Sequence, residues 1–128
     1  MKSNSGIILF VVAGLLAVGI IGWAVVKGKT PSPYNDFAQC LTDKGVKMFG
    51  AWWCPHCAAQ KELFGSAFKK INYIECSPNG SQDMSQQCKD EGVKGYPTWR
   101  FPSGPDLSGE QTFKVLGDKV GCSVPEIK

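Results

Sequence analysis

The residues with the clearest capacity for chemistry are two cysteines three positions apart, in the segment Cys54-Pro55-His56-Cys57. One helical turn brings residues at this spacing together, so their sulfurs can close and reopen a disulfide. Proline suits the first turn of a helix, where its missing N–H needs no partner, and this places Cys54 at a helix amino terminus. The pattern is typical of a reversible dithiol–disulfide centre.

Within this centre we predict that Cys54 is the attacking sulfur and Cys57 the resolving thiol. Unpaired backbone N–H groups and the helix dipole favour a thiolate at the amino terminus of a helix. His56, the single histidine of the chain, adds positive charge beside it when protonated. A stabilised thiolate favours the reduced form, which makes the disulfide a stronger oxidant.

The spacing alone leaves two other uses of the pair open: a permanent structural disulfide and half of a zinc site. Zinc needs four ligands, and Cys76 and Cys88 would have to supply the other two sulfurs. These two cysteines do not form a second Cys-x-x-Cys motif. We therefore predict no metal and no organic cofactor, with the Cys54–Cys57 disulfide itself as the redox group.

The elements that must position this pair alternate between helix and strand, in the order α-β-α-β-α-β-β-α over residues 35–128. A β-α-β unit followed by a β-β-α unit, with helices flanking a central mixed sheet, is the α/β class with a thioredoxin-like fold, which we predict here. In the helix that follows the pair, we expect Leu63, Phe64 and Phe68 to face the core. The predicted helices cover 35–44, 55–68, 81–91 and 110–120, and the predicted strands cover 46–51, 71–76, 98–101 and 106–107.

The start of the chain has a different character, because residues 6–26 carry no charge over 21 positions. A helix of that length is ~30 Å long, which matches the hydrocarbon core of a bilayer. The apolar region of a cleaved signal peptide, the alternative, usually spans ~7–15 residues before a small-residue cleavage site. We therefore predict a retained transmembrane helix over 1–27, a linker over 28–34, and the thioredoxin-like domain over 35–128.

All six cysteines follow this hydrophobic segment. Disulfides persist in oxidising compartments, so we predict a single-pass membrane protein with its amino terminus in the cytoplasm and its domain outside. The lysines at positions 2, 27 and 29 nearly balance across the segment and do not decide the orientation. A net charge of +3 without a basic stripe gives no indication of a nucleic-acid partner.

Several separated motifs together resemble the thioredoxin-like domain associated with bacterial vitamin K epoxide reductase homologues. They are FGAWWCPHC at 49–57, KELFG at 61–65, YIEC at 73–76 and GYPTW at 95–99. In that family the domain is fused to, or works beside, a quinone-linked membrane oxidase, which this chain is too short to contain. The resemblance implies disulfide exchange with client proteins and reoxidation by a separate oxidase of the vitamin K epoxide reductase type.

The resemblance also implies roles for residues outside the pair. Pro97 would form a cis peptide bond that faces the pair, with an ordinary trans proline at a strand start as the alternative. Tyr96 would offer its backbone to an extended substrate strand. Trp53 would either border the substrate groove or fill the core.

The remaining cysteines allow three connectivities once Cys54 pairs with Cys57. In the resembling family, positions 76 and 88 carry a second pair of cysteines, which is either structural or relays electrons. We predict that Cys76–Cys88 and Cys40–Cys122 are structural disulfides.

One position departs from the thioredoxin pattern. Thioredoxins carry a buried carboxylate six residues before the first active cysteine, which helps to deprotonate the second, and this chain has Met48 there. Methionine cannot move protons, which favours a disulfide donor over a thioredoxin-type reductase unless Lys47 or Glu75 compensates. A membrane-tethered reductase or isomerase and a non-catalytic binding module are the alternative functions.

Overall fold

A computed structural model describes residues 5–27 and 32–126, and within the first range it describes the side chains of 6–20. The chain divides into two compact units, 1–31 and 32–128. In the first unit, α1 (Ser5–Lys27) is a helix, and the described side chains are all exposed. No helix among the described residues is both long and apolar enough to cross a membrane.

The second unit begins within the linker predicted over 28–34. Residues 28–31 of that linker, together with Lys2, lie outside the described residues, and Ser32 begins the second unit. The Tyr34 ring packs edge-on against Phe113, with 4.6 Å between the ring centroids. This contact places Tyr34 in the second unit, and the domain boundary at residue 35 stays a prediction.

Four short strands form the sheet of the second unit, in the order β2-β1-β3-β4. They are β1 (Lys47–Gly50), β2 (Tyr73–Glu75), β3 (Thr98–Arg100) and β4 (Leu107–Ser108). β1 pairs in parallel with β2 and antiparallel with β3, and β3 pairs antiparallel with β4. This mixed sheet, flanked by helices, is compatible with the predicted thioredoxin-like fold.

Three of the α-helices within residues 32–126 begin at residues whose side chains cap them. A serine hydroxyl at position 85 and a threonine hydroxyl at position 112 each accept a backbone N–H in the first turn of the following helix, and Cys54 does so with its sulfur. The helices are α2 (Asn35–Asp43), α3 (Pro55–Phe64), α4 (Gln86–Asp90) and α5 (Phe113–Val120).

All four helices predicted within residues 35–128 are shorter in the structure, and α5 begins only at Phe113, because Thr112 provides its cap. α3 ends at Gly65, which has a φ of 54°, and the chain continues as a 3₁₀ helix over Gly65–Lys70. The predicted helix over 81–91 begins only at Gln86, because Ser85 provides its cap. The inward orientation predicted for Leu63 is wrong, since the buried face of α3 carries Phe64 and its helical neighbours, and Leu63 is 50% exposed.

Side chains on the two faces of β1 enter separate clusters of buried residues. Met48 belongs to the main cluster, which also contains Cys57 and the buried side chains of α2, α3 and α5. Phe49, its neighbour, points to the opposite face and packs against Cys76, Cys88 and Val93. The redox pair thus sits on the main core, while the cluster behind β1 surrounds a disulfide.

The two disulfides join the pairs that the sequence predicts. Cys40 on α2 is bonded to Cys122, just after α5, over a sequence separation of 82. Cys76, directly after β2, is bonded to Cys88 on α4 over a separation of 12. Cys54 and Cys57 are the free cysteines.

Candidate active site

The cysteine pair occupies the amino terminus of α3, immediately after β1 and its connecting turn. Cys54 is the N-cap residue, and its sulfur accepts a hydrogen bond from the backbone N–H of Cys57 at 3.2 Å. Pro55 is in the first turn, as predicted. Cys54 is 5% exposed and Cys57 is completely buried, so a partner can reach the pair only through Cys54.

Burial separates the chemistry of the two sulfurs. It raises the pKa of Cys57 to about 12, and the hydrogen bond with Cys54 adds to this effect, while Lys61 acts in the opposite direction. Cys57 therefore keeps its proton at neutral pH. The predicted roles, in which Cys54 attacks and Cys57 must be deprotonated before it resolves a mixed disulfide, stay a prediction.

We expect the reduced protein to lose stability relative to the oxidised protein as the pH rises from about 9 towards 12. The folded reduced state holds the Cys57 proton up to about 12, whereas an unfolded cysteine releases it near ~8.5. The folded state binds more protons in this window, so the stabilisation is complete below the unfolded pKa and is lost as the pH climbs.

Denaturant unfolding of both redox forms across this pH range measures the difference. The oxidised protein is the matched control, because Cys57 does not titrate in a disulfide. Parallel stability–pH curves for the two forms would contradict the assignment.

The segment before β3 carries the predicted proline. The Tyr96–Pro97 peptide bond is cis, and Pro97 is fully buried. The Tyr96 ring meets the Trp53 ring edge-on at 5.9 Å, which places Tyr96 beside the pair. Burial raises the pKa of Tyr96, and the nearby charges of Glu75 and the two cysteines add to the shift.

The two tryptophans before the pair are exposed rather than core residues. Trp53 is 39% exposed and donates its indole N–H to the Ser77 hydroxyl at 3.1 Å. Trp52 is 54% exposed and donates its indole N–H to the backbone oxygen of Ser81, also at 3.1 Å. Both rings therefore border the site, and contact of Trp53 with a substrate stays a prediction.

His56 has a partner that the sequence did not indicate. Its Nδ1 lies 2.6 Å from Oε1 of Glu110, in the loop before α5. The neighbouring residue, Gln111, is fixed by the buried side chain of Gln60 on α3, through one hydrogen bond of 3.1 Å and another of 2.6 Å. In the sequence, the signal for this contact was the glutamine three positions after Cys57. Its partner, Gln111, lies far away in the chain, so the sequence did not indicate which residue it bonds.

Glu75 connects β2 to the segment that leads into the pair. Its Oε1 accepts the backbone N–H groups of Trp52 at 3.1 Å and Ser77 at 2.9 Å. Its Oε2 accepts the Tyr73 hydroxyl at 2.7 Å. Lys47, the other residue considered as a substitute for the missing carboxylate, lies at the far end of β1 opposite Arg100.

The alternative zinc site loses two of its four sulfurs, because Cys76 and Cys88 are bonded to each other. Within 5–27 and 32–126, no three His, Cys, Asp or Glu side chains are grouped as metal ligands would be.

Comparison with known proteins adds independent information. No protein-family model matches the chain. The chain is 40% identical over 100 residues to thiol-disulfide oxidoreductase LTO1 of Arabidopsis thaliana, which covers 74% of this chain and 26% of that protein. It is 26% identical over 105 residues to a protein disulfide-isomerase of Aspergillus niger, which covers 73% of this chain and 20% of that protein. The chain thus spans about a quarter of these relatives' length or less.

These similarities, together with the mixed sheet and the Cys-x-x-Cys pair at the head of α3, support a place in the thioredoxin-like superfamily. Both relatives are named for reactions of thiols and disulfides. The comparisons therefore also support thiol–disulfide oxidoreductase activity for the matched region.

Proposed function

We propose that this chain donates disulfides to client proteins from an oxidised Cys54–Cys57 pair. The observation that carries the proposal is the asymmetry of the pair: Cys54 caps α3 and keeps 5% of its surface exposed, whereas Cys57 is completely buried. A client thiolate attacks Cys54, and Cys57 leaves. A second client thiol then displaces Cys54, so the client gains a disulfide and the pair becomes a dithiol.

The direction of electron flow is supported by the residue at position 48. Met48 is buried on β1, on the same core face as Cys57, where it offers no proton acceptor. A reductase must activate its second cysteine in every reaction with a client, whereas a donor releases that cysteine as a leaving group and needs the activation only when the pair is reoxidised. We therefore favour donation over reduction.

Measurement of the reduction potential of the Cys54–Cys57 pair against a glutathione buffer tests this direction. A donor is expected near −120 mV, an isomerase near −180 mV and a thioredoxin-type reductase near −270 mV, to within about 30 mV. Oxidation of a reduced, unfolded client by stoichiometric oxidised protein is the accompanying assay. A potential near −270 mV would overturn the donor assignment.

Recycling of the pair is proposed to use a quinone-linked membrane oxidase of the vitamin K epoxide reductase type. The support for it is the motif resemblance over 49–57, 61–65, 73–76 and 95–99. A Cys57→Ala variant keeps the attacking sulfur and retains partners as mixed disulfides. Capture of an integral oxidase on that variant, in membranes that contain one, supports the proposal, and capture of clients alone opposes it.

We propose further that residues 1–27 anchor the domain to a membrane, with the domain on the extracytoplasmic side. The uncharged stretch 6–26 supports this, as do the exposed apolar side chains of α1, among which Phe10 is 82% exposed. Two disulfides in the second unit are in keeping with an oxidising compartment.

The anchor is tested by alkaline extraction of membranes that contain the full chain. The full chain is expected to stay in the membrane fraction, because the segment 6–26 has no lysine. Each lysine placed in the middle of a membrane-spanning helix costs about 2.5–3.5 kcal/mol. The double variant Val11→Lys and Leu15→Lys is expected to appear in the soluble fraction. Labelling of the reduced pair by a membrane-impermeant maleimide in intact cells tests the orientation.

A further inference from the structure

Cys57 needs a proton acceptor whenever it resolves a mixed disulfide, and its surroundings offer few. The residue is completely buried, and the Met48 side chain in the same cluster is not a base. Burial raises the pKa of the Cys57 thiol, so water alone deprotonates it slowly at neutral pH. A base that serves Cys57 must therefore reach the pair by another route.

Besides Cys54 and the Ala51 backbone, a polar group from β2 lies near the Cys57 sulfur. A Cβ atom added to Gly50 would lie 3.0 Å from Sγ of Cys57 and 3.1 Å from the hydroxyl oxygen of Tyr73. Because both atoms lie so close to one point, the sulfur and the hydroxyl are neighbours beside the Gly50 backbone, within reach of one bridging water. The absence of a side chain at Gly50 is what allows this approach.

The Tyr73 hydroxyl leads on to a carboxylate. It donates a hydrogen bond of 2.7 Å to Oε2 of Glu75, whose other oxygen is held by two backbone N–H groups. Glu75 is only partly buried, so it can exchange protons with solvent. Lys61 places its Nζ 4.0 Å from the centre of the Tyr73 ring, where its charge favours the Cys57 thiolate.

We propose that Glu75, acting through Tyr73, receives the proton that Cys57 loses when it attacks the mixed disulfide on Cys54. The inference rests on the proposed function. In this step the S–S bond between Cys54 and Cys57 forms, and the bond between Cys54 and the partner breaks. The partner sulfur leaves with the electron pair as a thiolate, so the cysteine pair is oxidised and the partner is reduced.

The proton moves in the same step. The Cys57 proton passes through a bridging water to the Tyr73 oxygen while the Tyr73 proton passes to Glu75, which releases it to solvent. When the pair donates a disulfide, the same transfers run in reverse and return a proton to Cys57 as it leaves.

The other titratable groups that face Cys57 do not provide this function. Lys61 is a cation, and Cys54 is the sulfur under attack in this step. Tyr73 and Tyr96 hold their protons more tightly than free tyrosine, because burial raises the pKa of each. Glu75, on β2, is the carboxylate that accepts a hydrogen bond from the Tyr73 hydroxyl beside Cys57.

Two substitutions test the inference with the full chain. Glu75→Gln keeps an oxygen for the two backbone N–H groups but removes the basic carboxylate, and Tyr73→Phe removes the relaying hydroxyl. Glu62→Gln, on the exposed face of α3, is the matched control. The reaction of the reduced protein with oxidised glutathione, followed by stopped-flow tryptophan fluorescence over a range of pH, separates attack by Cys54 from resolution by Cys57.

We expect both variants to slow resolution by about 10²-fold, the lower end of what a positioned base contributes, and to leave the attack step within about twofold of the unmodified chain. The pH dependence of resolution should change in Glu75→Gln, because glutamine has no carboxylate to accept the proton. An unchanged resolution rate and pH profile would overturn the inference, and so would equal slowing of both steps, which marks a structural role. Absence of a mixed disulfide in the unmodified chain would instead refute the proposed function.

Discussion

Replacement of Cys54 by serine is expected to abolish disulfide exchange and to leave the fold intact. Serine can still accept the hydrogen bond from the Cys57 N–H, so α3 keeps its cap. Its hydroxyl does not form a disulfide, and Cys57 is fully buried and cannot substitute for it. We expect activity to fall by about 10³-fold or more, as for loss of a nucleophile in other enzymes.

The measurement is the rate at which oxidised protein restores activity to a reduced, unfolded client, with circular dichroism to verify the fold. Cys57→Ala is the informative comparison, because it retains the attacking sulfur and should accumulate covalent complexes on Cys54. If the unmodified chain shows no detectable turnover and Cys54→Ser binds partners as tightly as the unmodified chain, the domain is a binding module. Retained turnover in Cys54→Ser would contradict the assignment of the attacking sulfur.

The largest effect on stability is expected from removal of the Cys40–Cys122 disulfide. It closes a separation of 82 residues and ties α2 to the end of the chain beyond α5. A crosslink of this length strongly restricts the unfolded chain, and loss of a native disulfide from a small domain typically costs about 2–5 kcal/mol. The double variant Cys40→Ala and Cys122→Ala should unfold at correspondingly lower denaturant concentration.

The Cys76–Cys88 disulfide serves as the comparison, since it closes a separation of only 12 residues. A shorter loop restricts the unfolded chain less, so removal of this disulfide lowers the free energy of unfolding by a smaller entropic amount. Both sulfurs are buried, and their loss also leaves a void, which adds a separate cost. Activity per folded molecule should persist in the Cys40/Cys122 variant, because that disulfide lies outside the site. A midpoint unchanged from that of the unmodified chain would refute the stabilising role.

The features that the sequence predicts well are those with a local signal. Pro55 after Cys54 marks the start of α3, and the strand and helix periods around it give the order of elements that the structure has. The limits of α4 were less predictable, because Ser81 and Ser85 are both acceptable caps and only Ser85 accepts the N–H of a helical residue. The inward orientation predicted for Leu63 was wrong because α3 has a short buried face. Gly65, two positions after Leu63, ends the helix.

The parts of the site that were not predicted depend on contacts between distant segments. His56 meets Glu110 across 54 positions, and nothing near either residue indicates the other. The position of Tyr73 beside Cys57 depends on the parallel register of β1 and β2, in which Met48 lies opposite Tyr73. Glu75 was a candidate substitute for the missing carboxylate, but its link to the pair through a tyrosine required the folded geometry.

The buried amide of Gln60 has a dynamic consequence. Its side chain bonds both backbone groups of Gln111, in the manner of a neighbouring strand, although residue 111 belongs to a loop. The N–H of Gln111 can exchange with solvent deuterium only when α3 separates from that loop. Hydrogen exchange at this one loop amide therefore reports how often the helix that carries the two sulfurs detaches from the rest of the protein.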